Sequence, residues 1–290
     1  MTATTSPPAP GRPPASGVDP AAWIRRFHAT DDAGLPRLAA FPHAGGSASF
    51  WYPLSAALRG RADVLSVQYP GRQERRTEPP IEDIRRLADL SAEAIVRSIG
   101  TTAGPGGRRA VPLVLFGHSM GAVVAFEVAR RLAADPRGVA NPTALVVSGR
   151  RAPDRHREER VHAYDEASLI AELRSLSGTD SAVLEDEELL RMVIPALRAD
   201  YRAVETYRYA PDPSGRPALR CPITVLTGDA DPKVSVDEAA AWRDHTGGAF
   251  ALHTFAGGHF YLTDHQTAVT AHLAAALGIA DSGPGEGRTT

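Results

Sequence analysis

The chain has 290 residues, 32 basic and 34 acidic side chains for a formal charge of -2, and 43% hydrophobic residues. That length can bury one sizeable core, and so small a net charge offers no field for nucleic acid or a membrane surface. A single cysteine, Cys221, excludes an internal disulfide and a cysteine metal cluster, so neither a metal nor another cofactor is expected.

No run of about 18 apolar residues occurs, and the start lacks the basic-then-apolar layout of a signal peptide, so a cytoplasmic protein is expected. Lys233 is the only lysine among 32 basic residues, a bias that speaks of the host genome and not of chemistry. In chain order, residues 1–20 are rich in Pro, Ala and Thr and cannot build a core, which predicts a disordered tail. Trp23 to His28 reads as a first strand, followed by a turn at Asp31-Asp32-Ala33-Gly34 and a second strand at Leu38 to Phe41. The loop Pro42-His43-Ala44-Gly45-Gly46-Ser47 leads into a helix from Ser47 to Leu58, then a strand at Val64 to Val67. Asp83 to Ile99 is predicted as an amphipathic helix, with Ile84, Leu87, Ala88, Ser91, Ala94 and Ile95 on one face. A loop at Thr101 to Arg109 separates it from the next strand.

That strand, Val111 to Phe116, runs straight into Gly117-His118-Ser119-Met120-Gly121 and then a helix pattern from Met120 to Arg131. A Gly-x-Ser-x-Gly between a strand and a helix is the setting in which a sharp turn lifts a serine hydroxyl clear of a sheet. Ser119 is therefore a candidate nucleophile. After a strand at Ala144 to Ser148, the strand rhythm stops between Gly149 and about Pro217. Leu169, Ile170, Leu173 and Leu176, then Leu189, Leu190, Val193, Ile194, Leu197, Tyr201 and Val204, recur instead at helical spacing. Helices inserted there, on the edge that carries active-site loops, read as a lid over residues 149–217. Pro195 inside the second helix suggests a kink.

Strand rhythm resumes at Cys221 to Thr227 and opens into Gly228-Asp229-Ala230-Asp231-Pro232. A helix pattern around Asp237 to His245 precedes a strand at Phe250 to Phe255, which ends at Ala256-Gly257-Gly258-His259-Phe260. In a parallel sheet these loops open on the edge where Ser119 sits, in the order serine, acid, histidine. His259 is the candidate base. Two acids compete to orient it. Asp231, farther out and able to reach across, is favoured over Asp229, which can serve as a turn residue bonding its own backbone. The tetrahedral intermediate needs backbone donors; Met120 N–H at a helix N-terminus is one and Ala44 N–H the other. Residues 281–290 read as a loose tail.

With these residues in hand, the chain resembles a type II thioesterase, the stand-alone editing hydrolase of polyketide and nonribosomal peptide synthases. The matching segments are Phe41-Pro-His-Ala-Gly-Gly-Ser47, Tyr69-Pro-Gly-Arg72, Gly117-His-Ser-Met-Gly121, Gly228-Asp-Ala-Asp231 and Gly257-Gly-His-Phe260. The resemblance implies an α/β-hydrolase fold over residues 21–280, a mostly parallel sheet flanked by helices with a helical lid. It implies Ser119, Asp231 and His259 as triad, with Ala44 and Met120 as oxyanion hole. Its implied substrates are acyl groups on the phosphopantetheine arm of an acyl carrier protein or thiolation domain, together with small acyl thioesters. Nothing in the triad itself selects a thioester over an oxygen ester, so a product-releasing or medium-chain thioesterase, a carboxylesterase, and a catalytically dead binding module remain alternatives. Arg150, Arg151, Arg155, Arg157 and Arg160 cluster at the start of the lid. They are read either as a docking patch for an acidic carrier protein or as a segment neutralised by Asp154, Glu158 and Glu159.

Overall fold

The computed structural model describes residues 18–99, 111–138, 140–176 and 187–279. The predicted loop at Thr101 to Arg109, the tail at 281–290 and residues 1–17 of the predicted N-terminal tail lie outside them. Residues 18–20 of that tail are among those described, and Asp19 caps a one-turn helix, α1 (Pro20–Trp23), by accepting the Ala21 N–H. The first strand then shrinks to Ile24–Arg25 (β1), the residues of Trp23 to His28 that pair in the sheet.

Six further strands follow: β2 (Arg37–Phe41), β3 (Asp63–Val67), β4 (Leu113–His118), β5 (Ala144–Ser148), β6 (Ile223–Gly228) and β7 (Phe250–Phe255). They form one seven-stranded sheet in the order β1-β3-β2-β4-β5-β6-β7. Only the β1–β3 pair is antiparallel. β2 to β5 are buried along their whole length, as expected of parallel strands covered on both faces. This is the mostly parallel, helix-flanked sheet that the motif order implied.

On one face lie α3 (Ile84–Ile99) and α4 (Met120–Ala134). All six residues assigned to the apolar face of α3 are buried, and each large one contributes about 1.5–3 kcal/mol. The other face is covered by α2 (Tyr52–Ala57) and by α9 (Gln266–Ala276), which follows the one-turn α8 (Tyr261–Asp264). The helix predicted from Ser47 to Leu58 is two pieces, a 3₁₀ turn at Ala48–Trp51 and then α2. Pro53 fits that break, because its missing N–H is harmless in the first turn of α2. The pattern around Asp237 to His245 likewise divides into α7 (Val236–Ala240) and a 3₁₀ turn at Ala241–His245.

Between β5 and β6 no strand occurs among the described residues; the segment holds α5 (Glu166–Leu176) and α6 (Glu187–Thr206). Pro195 lies inside α6, and the helix runs on through it to Thr206. Val161, Leu169, Leu173, Ile194, Leu197 and Tyr201 form a small core of their own, separate from the two that sandwich the sheet. The inserted helices are thus self-packed, and they touch the main body where the active-site loops open. Tyr207, just past α6, ties the insertion to α4 by donating its hydroxyl to Glu127 at 2.7 Å.

Candidate active site

The turn from β4 into α4 is where strand, serine and helix are forced together. Ser119 has φ 54° and ψ -119°, a conformation that non-glycine residues rarely occupy. Neighbouring glycines permit it by close packing. A Cβ on Gly117 would stand 2.1 Å from the Gly121 carbonyl oxygen, and one on Gly121 would stand 2.2 Å from that of Phe41. Any side chain at either position would push the turn away from the sheet.

Three loops at the carboxyl edge converge on this serine. His259 Nε2 lies 2.9 Å from Ser119 Oγ, and His259 Nδ1 lies 2.8 Å and 3.0 Å from the two carboxylate oxygens of Asp231. The contact with Asp231 holds the proton on Nδ1, which leaves the Nε2 lone pair free to accept the serine proton. The Asp231 side chain is fully buried and its loop is braced by Lys233, whose backbone N–H donates to Asp231 Oδ1 at 2.8 Å. Asp229 points elsewhere: its Oδ1 accepts the Gly257 N–H at 2.9 Å, which steadies the loop carrying His259. The structure therefore brings Asp231, and not Asp229, to the histidine.

Met120 is the first residue of α4, where a backbone N–H has no intrahelical partner. Ala44 lines the same cavity, with Ser119, Met120 and His259. Its N–H finds no acceptor among the described residues.

Of the other residues in this cavity, Glu205 and Lys233 have no structural or functional part in the reading of the sequence. Arg150, Glu159, Tyr201, Glu205 and Lys233 line it together with Leu173, Leu176 and Val204. Burial, with Arg151 nearby, pushes the Arg150 guanidinium down to about 10. Three of the five arginines once grouped as a basic patch are matched to acids. Arg151 is buried against Glu159, Arg157 pairs with Glu238 and Arg155 lies 3.7 Å from Asp154, while Arg150 faces the cavity. The five do not form one exposed face, because Arg151 is buried and Arg150 lines the cavity, while Arg157 is matched by Glu238 from 81 residues away. The enclosed space is about 40 Å³, room for about two or three waters. A larger cavity of about 490 Å³ between α2 and α9 contains none of Ser119, Asp231 and His259.

Two further histidines lie near the base: His118, whose ring centre is 5.0 Å from that of His259, and His43 beyond it. His118 is fully buried, with Nδ1 2.9 Å from Ser148 Oγ, which in turn meets Tyr261 Oη at 2.7 Å. His43 stacks edge-on against Phe50 and Phe260. Burial, then the proximity of His259 and Arg72, pushes His43 down to about 3, and burial likewise holds His118 well below its ordinary value. Both rings are thus neutral in the folded protein. Unfolding releases them to an ordinary value near 6.5, so below about pH 6.5 the unfolded chain binds protons that the folded one refuses. Stability is full above that pH and falls as the pH drops toward the folded value. The melting temperature is expected to decline between pH 7 and 5, and less steeply in His43→Phe. Equal slopes for the two proteins would show that His43 is not held neutral.

Residues 36–277 match the family model described as Thioesterase domain. A probable cadicidin biosynthesis thioesterase from Streptomyces griseus is 51% identical over 257 residues, which are 89% of this chain and 66% of that protein. Thioesterase PikA5 of Streptomyces venezuelae is 45% identical over 269 residues, 91% of this chain and 90% of the relative. Among solved structures, the type II thioesterase BorB from the borrelidin biosynthetic cluster shares 50% identity with a TM-score of 0.77, covering 88% of this chain and 98% of that one. The type II thioesterase YbtT of the yersiniabactin pathway shares 32% with a TM-score of 0.74, covering 89% and 98%.

Proposed function

From the premise that this chain belongs to the thioesterase family, we propose that it hydrolyses acyl groups from the phosphopantetheine arm of carrier proteins in polyketide or nonribosomal peptide synthesis. The hydrogen-bonded chain from Asp231 through His259 to Ser119 is the observation that carries the mechanism. His259 Nε2 takes the Ser119 proton as Oγ attacks the acyl carbon. The oxygen that becomes negative is received by the N–H groups of Ala44 and Met120, the latter at the positive end of α4. His259 then gives the proton to the leaving thiolate. The same ring next takes a proton from water, which attacks the acyl-enzyme, and returns it to Ser119 as the acid departs. Asp231 stays ionised throughout and stabilises the imidazolium. An editing role, clearing wrongly loaded acyl units from stalled modules, fits the pathway-linked names of the relatives.

The inserted helices act as a lid. Pockets that hold a drug-sized ligand measure roughly 300–1,000 Å³, and 40 Å³ is too small for an acylated arm. Leu173, Leu176, Tyr201 and Val204 must part from Ser119 for the substrate to enter. Among the described residues no helix is long and apolar enough to cross a membrane.

Comparing kcat/KM on an acyl-carrier protein, the matching acyl-CoA and a nitrophenyl ester of the same acid tests the substrate class. The carrier-bound thioester is expected to exceed the oxygen ester by at least about tenfold, since displacing a thiolate is shared by all thioesters and only the carrier can add binding energy from outside the cavity. A higher value on the ester than on both thioesters would make the enzyme a carboxylesterase.

A further inference from the structure

The loop that offers the Ala44 N–H is gripped from outside by two side chains that the proposed chemistry does not use. Asp200, on α6, is wholly buried, and Arg72, on the loop after β3, is 6% exposed. They meet in a two-pronged ion pair, Arg72 Nη1 donating to Asp200 Oδ2 at 2.7 Å and Nη2 to Oδ1 at 2.9 Å. Each then makes a second contact with the donor loop. Asp200 Oδ2 accepts the Gly45 N–H at 2.8 Å, and Arg72 Nη1 donates to the Gly46 carbonyl at 2.9 Å. The Gly46 N–H in turn donates to the His43 carbonyl at 3.0 Å. That carbonyl belongs to the same planar peptide unit as the Ala44 N–H, and in a trans peptide the two point in opposite directions. Holding the oxygen aims the hydrogen.

Packing makes the grip tight. Leu197, three residues before Asp200 on α6, lies against Gly45, where a Cβ would stand 2.8 Å from Leu197 Cδ1 and φ is 75°. Only glycine lets the loop approach the helix this closely. Arg72 is itself steadied by donating Nε to the Pro70 carbonyl at 3.2 Å. A buried ion pair is weak evidence of a stabilising role, because desolvation offsets much of its Coulomb gain. What distinguishes this pair is that both members end on the same loop, at Gly45 and Gly46.

We infer that Asp200 is a positioning residue: with Arg72 as its counter-ion, it sets the direction of the Ala44 N–H and ties α6 to the oxyanion loop, so that the oxyanion hole is complete only when α6 is seated. The inference rests on the proposed roles of Ser119 and Ala44. Asp200 touches no reacting atom and acts through the peptide at 43–44.

The test compares wild type, Asp200→Asn, Arg72→Lys and the double variant Arg72→Met/Asp200→Leu. Asp200→Asn leaves Arg72 without its full partner and can lose stability for that reason alone. In the double variant no charge is orphaned, so its fold is retained. Losing one oxyanion donor outright lowers kcat by about 10²–10³. Misaiming it through Asp200→Asn or the double variant is expected to lower kcat about 10- to 100-fold with KM within about threefold. Arg72→Lys leaves Asp200 free to accept the Gly45 N–H and should remain within about fivefold of wild type. Affinity for an acyl trifluoromethyl ketone, which forms a tetrahedral adduct with a serine, should fall in step with kcat, whereas affinity for an unreactive thioether analogue should not change. Gly45 amide exchange in the wild-type protein should be slow, as for a buried bonded N–H. Unchanged kcat and adduct affinity in the folded double variant, equal loss on the thioether analogue, or rapid exchange at Gly45 would each overturn the inference. Failure of the underlying mechanism would look different: Ser119→Ala would keep its activity whatever Asp200 does.

Discussion

Ser119→Ala is expected to fold like the wild type and to lose at least about four orders of magnitude in kcat. The change removes one oxygen from a half-buried side chain, and alanine meets the same backbone strain at φ 54° as serine. Packing of Gly117 and Gly121 against the sheet is untouched, so the melting temperature should shift little. Catalysis is another matter. Without Oγ no acyl-enzyme forms, and removing the serine of a comparable triad lowers kcat about 10⁶-fold, with a residue of activity supplied by the oxyanion hole and binding. Measured turnover of an acyl thioester, with covalent labelling by a fluorophosphonate as a second readout, checks the result. Retention of more than about a tenth of the rate, or labelling of a different residue, would remove Ser119 from the mechanism.

Asp231→Asn should follow with a loss of about 10⁴ in kcat. Asparagine has the same shape, so the fully buried site stays filled. Its amide nitrogen, however, would turn a donor toward His259 Nδ1, shift the ring proton to Nε2 and leave nothing to accept the Ser119 proton. Even in the correct tautomer, no carboxylate would be present to stabilise the imidazolium. Asp229→Asn is the matched control: it keeps an oxygen able to accept the Gly257 N–H, and should stay within about tenfold of wild type. A larger loss at Asp229 than at Asp231 would reverse the assignment of the orienting acid.

The core strands and the elbow were legible because their determinants are local. Leu113 to His118 is buried at every position, and an apolar run closing on Gly-x-Ser-x-Gly has few other ways to fold. Boundaries moved by one or two residues at β4 and β6. The first strand contracted to Ile24–Arg25 because only these residues have β3 beside them. The helix after Ser47 broke in two at Tyr52-Pro53, a break the sequence carried in its proline. One signal was passed over. Asp200 lies three residues after Leu197 and one before Tyr201, an acid set within the apolar stripe of an amphipathic helix. A charge there needs a buried partner, and Arg72 stood unassigned in the Tyr69-Pro-Gly-Arg72 motif.

By itself the sequence determined the order of strands, the turn that strains Ser119, and the two loops that end in Asp231 and His259. Each is a short-range matter of sterics and alternation, written in neighbouring residues. Only the tertiary structure decided which acid meets the histidine, since Asp229 and Asp231 differ by which way one loop projects and both lie far from His259 in the chain, Asp231 by 28 residues. The same holds for the pairing of Arg72 with Asp200 across 128 residues and of Arg157 with Glu238 across 81. Charge partners are chosen by where packed elements cross, and desolvation acts only once the groups are enclosed. For that reason the neutral state of His43, the matching of the arginine cluster and the grip of α6 on the oxyanion loop exist in the fold and have no counterpart in any local stretch of sequence.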